Sequence, residues 1–176
     1  SLQYLAADDE LVLFGPRELL EPQCAEQGLR DARVRIEHCT QVIGMEESPV
    51  EALRTKRDST ILRMASLAGK RELEAIVSAG NTGAFVAACQ LRIGPIKNVS
   101  RPGIAVVMPS FRGPVLLCDV GANLQPKPHH LHDYARMCSI YARAILGIAE
   151  PKVGIVSIGE EEAKGNPLVK EAHALL

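Results

Sequence analysis

Tryptophan is absent from this chain, and aromatic residues make up 3% of its 176 positions. Bases bind single-strand readers by stacking on aromatic faces, so the usual platform for nucleic acid is missing. Charge offers no substitute, because 20 basic and 21 acidic residues leave a net charge of −1, without the basic excess that phosphate backbones demand. Nucleic acid is therefore not an expected partner. No apolar run approaches the roughly 20 residues of a membrane-spanning helix, and the start carries no signal-peptide pattern, which points to a cytoplasmic protein. The five cysteines (24, 39, 89, 118 and 138) include no C-x-x-C pair, so neither a zinc knuckle nor a redox motif is indicated and a reducing compartment is the simplest setting. There is no initiator methionine and the chain begins mid-pattern, which reads as a fragment of something longer.

The missing catalytic signatures narrow the chemistry further. A G-x-S-x-G elbow is absent, as is any obvious Cys/His pair, so a covalent protein nucleophile has no candidate. The glycine loop at 80–83 lacks the Lys-Ser/Thr ending of a phosphate-binding P-loop and the third glycine of a dinucleotide fingerprint. Neither a nucleotide triphosphatase nor a nicotinamide dehydrogenase fits, and no cofactor is expected. His129, His132 and Asp133 would share one helical face, but no His pair at i, i+4 with a neighbouring Glu accompanies them, so no metal ligand is expected.

What is present alternates between strand and helix. Leu11 to Phe14, Ala75 to Val77, Ile104 to Met108, Val115 to Asp119 and Val153 to Ile158 read as buried strands, and Val34 to His38 as an alternating one. Helical patterns cover Leu19 to Gln27, a start at Ser48-Pro49 carrying Val50 and Leu53 inward, Ser59 to Gly69, Phe85 to Leu91, Lys127 to Gly147, and a start at Asn166-Pro167. The short Pro109 to Pro114 link predicts one antiparallel hairpin. This is the pattern of a single α/β domain over residues 1–176 with a largely parallel sheet, whose ligands collect at the carboxyl ends of strands.

Three of those ends are polar and contain glycine: Ser78-Ala79-Gly80-Asn81-Thr82-Gly83-Ala84, Asp119-Val120-Gly121-Ala122-Asn123, and the run from Gly159 to Asn166. A strand turning through Gly80 and Gly83 into a helix exposes backbone N–H groups that favour an anion, with Asn81 or Thr82 as the cap. Asp119 reads equally as a turn cap and as a site carboxylate. Lys164, beside Gly165 and ahead of Asn166, suits an oxyanion developing on a carbonyl. Arg54, Lys56 and Arg57 form a basic helix face, either simply solvated or complementary to an acidic carrier protein.

Taken together, SAGNTGA at 78–84, DVGAN at 119–123 and GEEEAKGN at 159–166 resemble the bacterial phosphate acyltransferase family, PlsX. Arg101-Pro102, Lys127-Pro128 and Ser48-Pro49-Val50 also look like that family, and the resemblance spans nearly the whole chain. It implies formation of acyl-phosphate from acyl-acyl-carrier-protein and inorganic phosphate in phospholipid synthesis. Phosphate would then be the nucleophile, with Lys164 and Asn166 as catalytic residues. Ser78, Gly80, Asn81, Thr82, Gly83, Asp119, Gly121 and Asn123 would bind phosphate or substrate. The implied fold is a Rossmann-like three-layer α/β/α sandwich similar to isocitrate and isopropylmalate dehydrogenases, homodimeric when full length. The family's opening strand and Asp-Ala-Met-Gly-Gly-Asp loop are missing here. So is its C-terminal half, with the dimer helices and the tip implicated in peripheral membrane contact. The Ser110 to Pro114 turn is also shorter than the family's. Two rivals remain open: a phosphotransacetylase-like enzyme using acetyl-coenzyme A, and a non-catalytic module that binds acyl carrier protein.

Overall fold

Five residues of β1 (Leu11–Gly15) lie parallel to five of β2 (Val34–His38), in register from Leu11 opposite Val34 to Gly15 opposite His38. Parallel neighbours need a crossover, and α1 (Arg17–Glu26) supplies it. The computed structural model describes residues 2–159 and 164–176. It divides into two units, Ser1–Gly94 and Pro95–Leu176.

In the first unit the core lies among α2 (Pro49–Thr55), α3 (Thr60–Gly69) and α4 (Thr82–Arg92). Ile43, Leu53, Ile61 and Leu62 fill it together with Ala52, Ala65, Ala84 and Ala88. The alanines explain how close the helices come, since Ala65, Ala84 and Ala88 are 0% exposed and a larger side chain would hold the axes apart. Helices α3 and α4 run side by side in the same sense. A side-chain carbon at Gly80 would lie 3.7 Å from Ile61 Cδ1 near the start of α3, and one at Gly69 would run into the Arg92 carbonyl at the end of α4. Val50 corrects the sequence expectation: it is 57% exposed while Leu53 points inward, because a helix this short buries one narrow stripe.

Gly83 is fixed by packing. A Cβ there would stand 2.8 Å from Pro49 Cγ, and the proline ring has little room to yield. Gly83→Ala is expected to cost about 1–3 kcal/mol by overpacking, read as a lower urea midpoint with an unchanged slope. An unchanged midpoint would show that α2 and α4 are not packed this tightly.

The second unit contains the expected hairpin. Strands β3 (Ala105–Met108) and β4 (Val115–Cys118) pair antiparallel from Ala105 opposite Cys118 to Met108 opposite Val115. Ser110 and Gly113 exchange backbone hydrogen bonds at the turn. Helix α5 (Pro128–Ala144) packs on β4 and on α6 (Pro167–Leu175).

The α/β class holds, with one small parallel and one small antiparallel sheet among the described residues. Two expected strands do not form. Residues 75–77 and 153–158 carry no ladder, and Val77, Val156 and Ile158 are more than 80% exposed. Apolar β-formers become a strand only where a neighbour supplies backbone partners, and no described strand lies beside either segment. Among the described residues, no helix is long and apolar enough to cross a membrane.

Candidate functional site

The loop at 78–83 is held by one amide. Asn81 Oδ1 accepts the Ala84 N–H at 3.0 Å and so caps α4. Its Nδ2 donates to the carbonyls of Gly44, Met45 and Glu47 at 3.0, 3.3 and 3.1 Å. That second set ties α4 to the loop leading into α2, and it buries Asn81 to 6% exposure. Ser78 Oγ accepts the Gly80 N–H at 3.2 Å, which shapes the turn. Among the described residues, the Thr82 and Gly83 N–H groups have no hydrogen-bond partner. These are first-turn donors at the positive end of a helix. Because Pro49 abuts Gly83 and Ile61 abuts Gly80, α2, α3 and α4 all begin around this loop. The sequence reading named the loop and offered Asn81 as a cap. It missed the bridge from Asn81 to residues 44–47, which lie 34 to 37 positions away.

Asp119 is the anchor of its turn. Its carboxylate accepts from Ile104 N at 2.9 Å, Ala122 N at 3.0 Å, Asn123 N at 2.8 Å and Asn123 Nδ2 at 2.9 Å. Burial pushes a carboxyl pKa up, yet the Ile104 N–H, the Asn123 amide and the two turn N–H groups outweigh it and hold Asp119 below its usual value. Asn123 Nδ2 also lies within donating distance of the Pro102 carbonyl at 2.8 Å and the Tyr134 hydroxyl at 2.9 Å. Tyr134 is 2% exposed, and its burial, with Asp119 nearby, pushes the phenol up to about 12. Gly121 completes the turn with φ at +120°. Asp119 and Asn123 thus hold the backbone in place, while Gly121 leaves it open.

A pH dependence follows from this anchor. The folded state holds the Asp119 proton less tightly than the unfolded chain, whose value is near 3.8. The stabilisation is complete above that value and is lost as pH falls through it toward the lower folded value. Asp119→Asn is expected to flatten the decline in stability as pH falls below 3.8, as measured by urea unfolding. Equal slopes would remove Asp119 as a titrating anchor.

At the third turn, residues 160–163, with Glu160 to Glu162 among them, lie outside the described residues. Lys164 is exposed and lines a groove of about 1110 Å³ with Ile155, Val156, Ile158, Val169 and His173. Gly165 follows at φ +98°, where a Cβ would lie 3.0 Å from both Ser157 Oγ and Val169 Cγ1. Glycine alone combines that backbone with that space. Asn166 Oδ1 caps α6 by accepting the Val169 N–H at 3.0 Å. A backbone fixed in this way holds Lys164 in the lining of a groove of mixed polarity. Ser78, Gly80, Asn81, Thr82 and Gly83 belong to the first unit; Asp119, Gly121, Asn123, Lys164 and Asn166 belong to the second.

A family model described as fatty acid synthesis protein matches residues 4–176. A phosphate acyltransferase of Desulfitobacterium hafniense is 48% identical over 169 residues, which is 96% of this chain and 50% of the relative. The chain belongs to the phosphate acyltransferase family. Phosphate acyltransferases of Elusimicrobium minutum and Nitratidesulfovibrio vulgaris are each 42% identical, over 168 and 166 residues. They match 95% and 94% of this chain and 49% and 48% of their own lengths. The chain spans about half the length of the curated relatives it matches.

Of the histidines, His130 has a structural role. His130 Nδ1 accepts the Lys127 N–H at 2.9 Å, which caps α5. Burial, reinforced by nearby His129, Arg101 and Lys127, lowers its pKa and favours the neutral ring. Among the described residues, no group of three or more His, Cys, Asp or Glu is disposed to hold a metal. The basic face of α2 is smaller than expected. Lys56 turns inward, pairing with Glu47 at 2.6 Å and donating to the Val42 carbonyl at 2.8 Å.

Proposed function

We propose that the protein transfers an acyl group from acyl-acyl-carrier-protein to inorganic phosphate, giving acyl-phosphate for phospholipid synthesis. The observation that carries this reading is the 42–48% identity to phosphate acyltransferases across more than nine-tenths of the chain. In this reading a phosphate oxygen attacks the thioester carbonyl carbon, and the carbonyl electron pair moves onto oxygen. Collapse of the tetrahedral oxyanion breaks the C–S bond, and the departing carrier thiolate takes up the proton that phosphate gives up. The protein then contributes position and charge rather than a nucleophile.

Lys164 is the cation for the oxyanion, and Asn166 sets its turn by capping α6. Thr82 and Gly83 offer open N–H donors to phosphate at the start of α4, in a loop shaped by Ser78, Gly80 and Asn81. Asp119 and Asn123 hold the second turn, and Gly121 leaves room beside it. The chain belongs to one Rossmann-like α/β/α domain, in a homodimer that works in the cytoplasm and touches the membrane peripherally through residues outside this chain.

The test is a substrate comparison in a full-length enzyme of the length its relatives have. Acyl-phosphate is expected to form from carrier-bound acyl thioester and phosphate, with coenzyme A thioesters at least ten-fold poorer in kcat/KM. A preference for acetyl-coenzyme A would favour the phosphotransacetylase-like rival. Carrier binding without product would leave a binding module.

A further inference from the structure

Helix α5 carries a second face that the chemistry above does not use. His132, Arg136, Ser139 and Arg143 recur at spacings of four, three and four residues, which places them on one stripe. Together with Val153 to Ile155 and His173 they line a groove of about 860 Å³. Its walls carry two guanidinium groups and two imidazoles, and among the described residues that line it none has an acidic side chain. The carboxylate paired with this stripe is Asp133, 3.9 Å from His132 Nδ1, beside the groove rather than in it. Arg136 and Arg143 are both exposed and lie seven residues, or about 10 Å, apart along the helix. Ile155 and His173 line this groove and also the groove that holds Lys164. The basic stripe therefore adjoins the open groove that holds Lys164.

We propose that the Arg136–Arg143 groove is the docking surface for the acidic carrier protein, with its acyl-bearing arm entering the adjoining groove toward Lys164. This rests on the acyl-transfer reading above. The charge pattern suits a partner helix laid along α5 with carboxylates two turns apart, each facing one arginine. The exposed apolar side chains Val156 and Ile158, with Ile155 and Val169 beside them, suit the alkyl portion of what the carrier delivers. The basic face of α2 is the weaker candidate, because Lys56 is committed to Glu47 and the Val42 carbonyl.

The experiment measures binding of holo carrier protein to full-length enzyme by fluorescence anisotropy in the absence of phosphate, alongside steady-state kinetics. Arg136→Glu/Arg143→Glu is expected to weaken binding at least ten-fold, to raise KM for the acyl carrier by a similar factor, and to lose most of the salt sensitivity of the parent. A control reversal of equal charge, Lys97→Glu/Arg112→Glu, is expected to bind as the parent does. Arg136→Lys/Arg143→Lys is expected to recover most of the affinity, which an unfolded double reversal cannot imitate. Equal affinity in the parent and the groove reversal overturns the proposal, and so does equal weakening by the control. If the parent binds carrier through this groove yet forms no acyl-phosphate, the docking surface stands and the acyl-transfer reading fails.

Discussion

Lys164→Ala in a full-length enzyme is expected to lower kcat for acyl-phosphate formation by about 10²–10³-fold, with KM for the acyl carrier nearly unchanged. The size follows from what a single preorganised donor or cation contributes to a developing oxyanion, about 2.7–4 kcal/mol. The split follows from timing, because the carbonyl oxygen bears little charge until phosphate attacks and the interaction is made mainly in the transition state. Stability should change little, since Lys164 is exposed and the cap of α6 belongs to Asn166. Lys164→Arg keeps the charge but spreads it over a planar fork, so partial activity is expected. A Lys164→Ala enzyme with parental kcat would remove Lys164 from the catalytic step. A rise in the KM for phosphate alone would instead make it a ground-state anion ligand.

The second large effect concerns stability. Asn81→Ala removes the cap of α4, worth about 1 kcal/mol, and also the donor shared by three carbonyls of the 44–47 loop, each hydrogen bond being worth about 0.5–1.5 kcal/mol net. A loss of about 2–4 kcal/mol is expected, which would lower Tm by roughly 4–16 °C in a protein of this size. Two further variants separate the roles. Asn81→Ser keeps an acceptor for the Ala84 N–H and should recover about 1 kcal/mol of the loss. Asn81→Asp keeps the cap and suits the helix dipole, but it turns a carboxylate toward the Gly44, Met45 and Glu47 carbonyls. If Asn81→Asp matched the parent in thermal melts, the bridge would carry no weight.

These residues also show which parts of the molecule a linear reading can reach. Helix starts were legible because their signals are local: Ser48-Pro49, Asn81-Thr82, Lys127-Pro128 and Asn166-Pro167 each precede a helix that forms. The hairpin was legible because β3 and β4 are close in sequence. Residues 75–77 and 153–158 have strand composition, but a ladder is made by neighbours that composition does not name. The same limit applies to side chains. Asn81 could be read as a cap from its place before a helix, whereas its three carbonyl partners depend on where α2 begins. Asp119 was left between turn cap and site carboxylate, and four donors on its carboxylate place it as the anchor. A charged helix face such as the α5 stripe ordinarily means solvent, and it gains meaning only from the groove that it lines with Ile155 and His173.

The central claim is that phosphate itself attacks the thioester and that the protein supplies no covalent nucleophile. Rapid-quench measurement of carrier thiol release by a full-length enzyme, with and without phosphate, tests it most directly. Without phosphate, no thiol should appear beyond background hydrolysis; on adding phosphate, thiol and acyl-phosphate should rise together, one for one. A burst of thiol equal to the enzyme concentration in the absence of phosphate would reveal an acyl-enzyme and contradict the account.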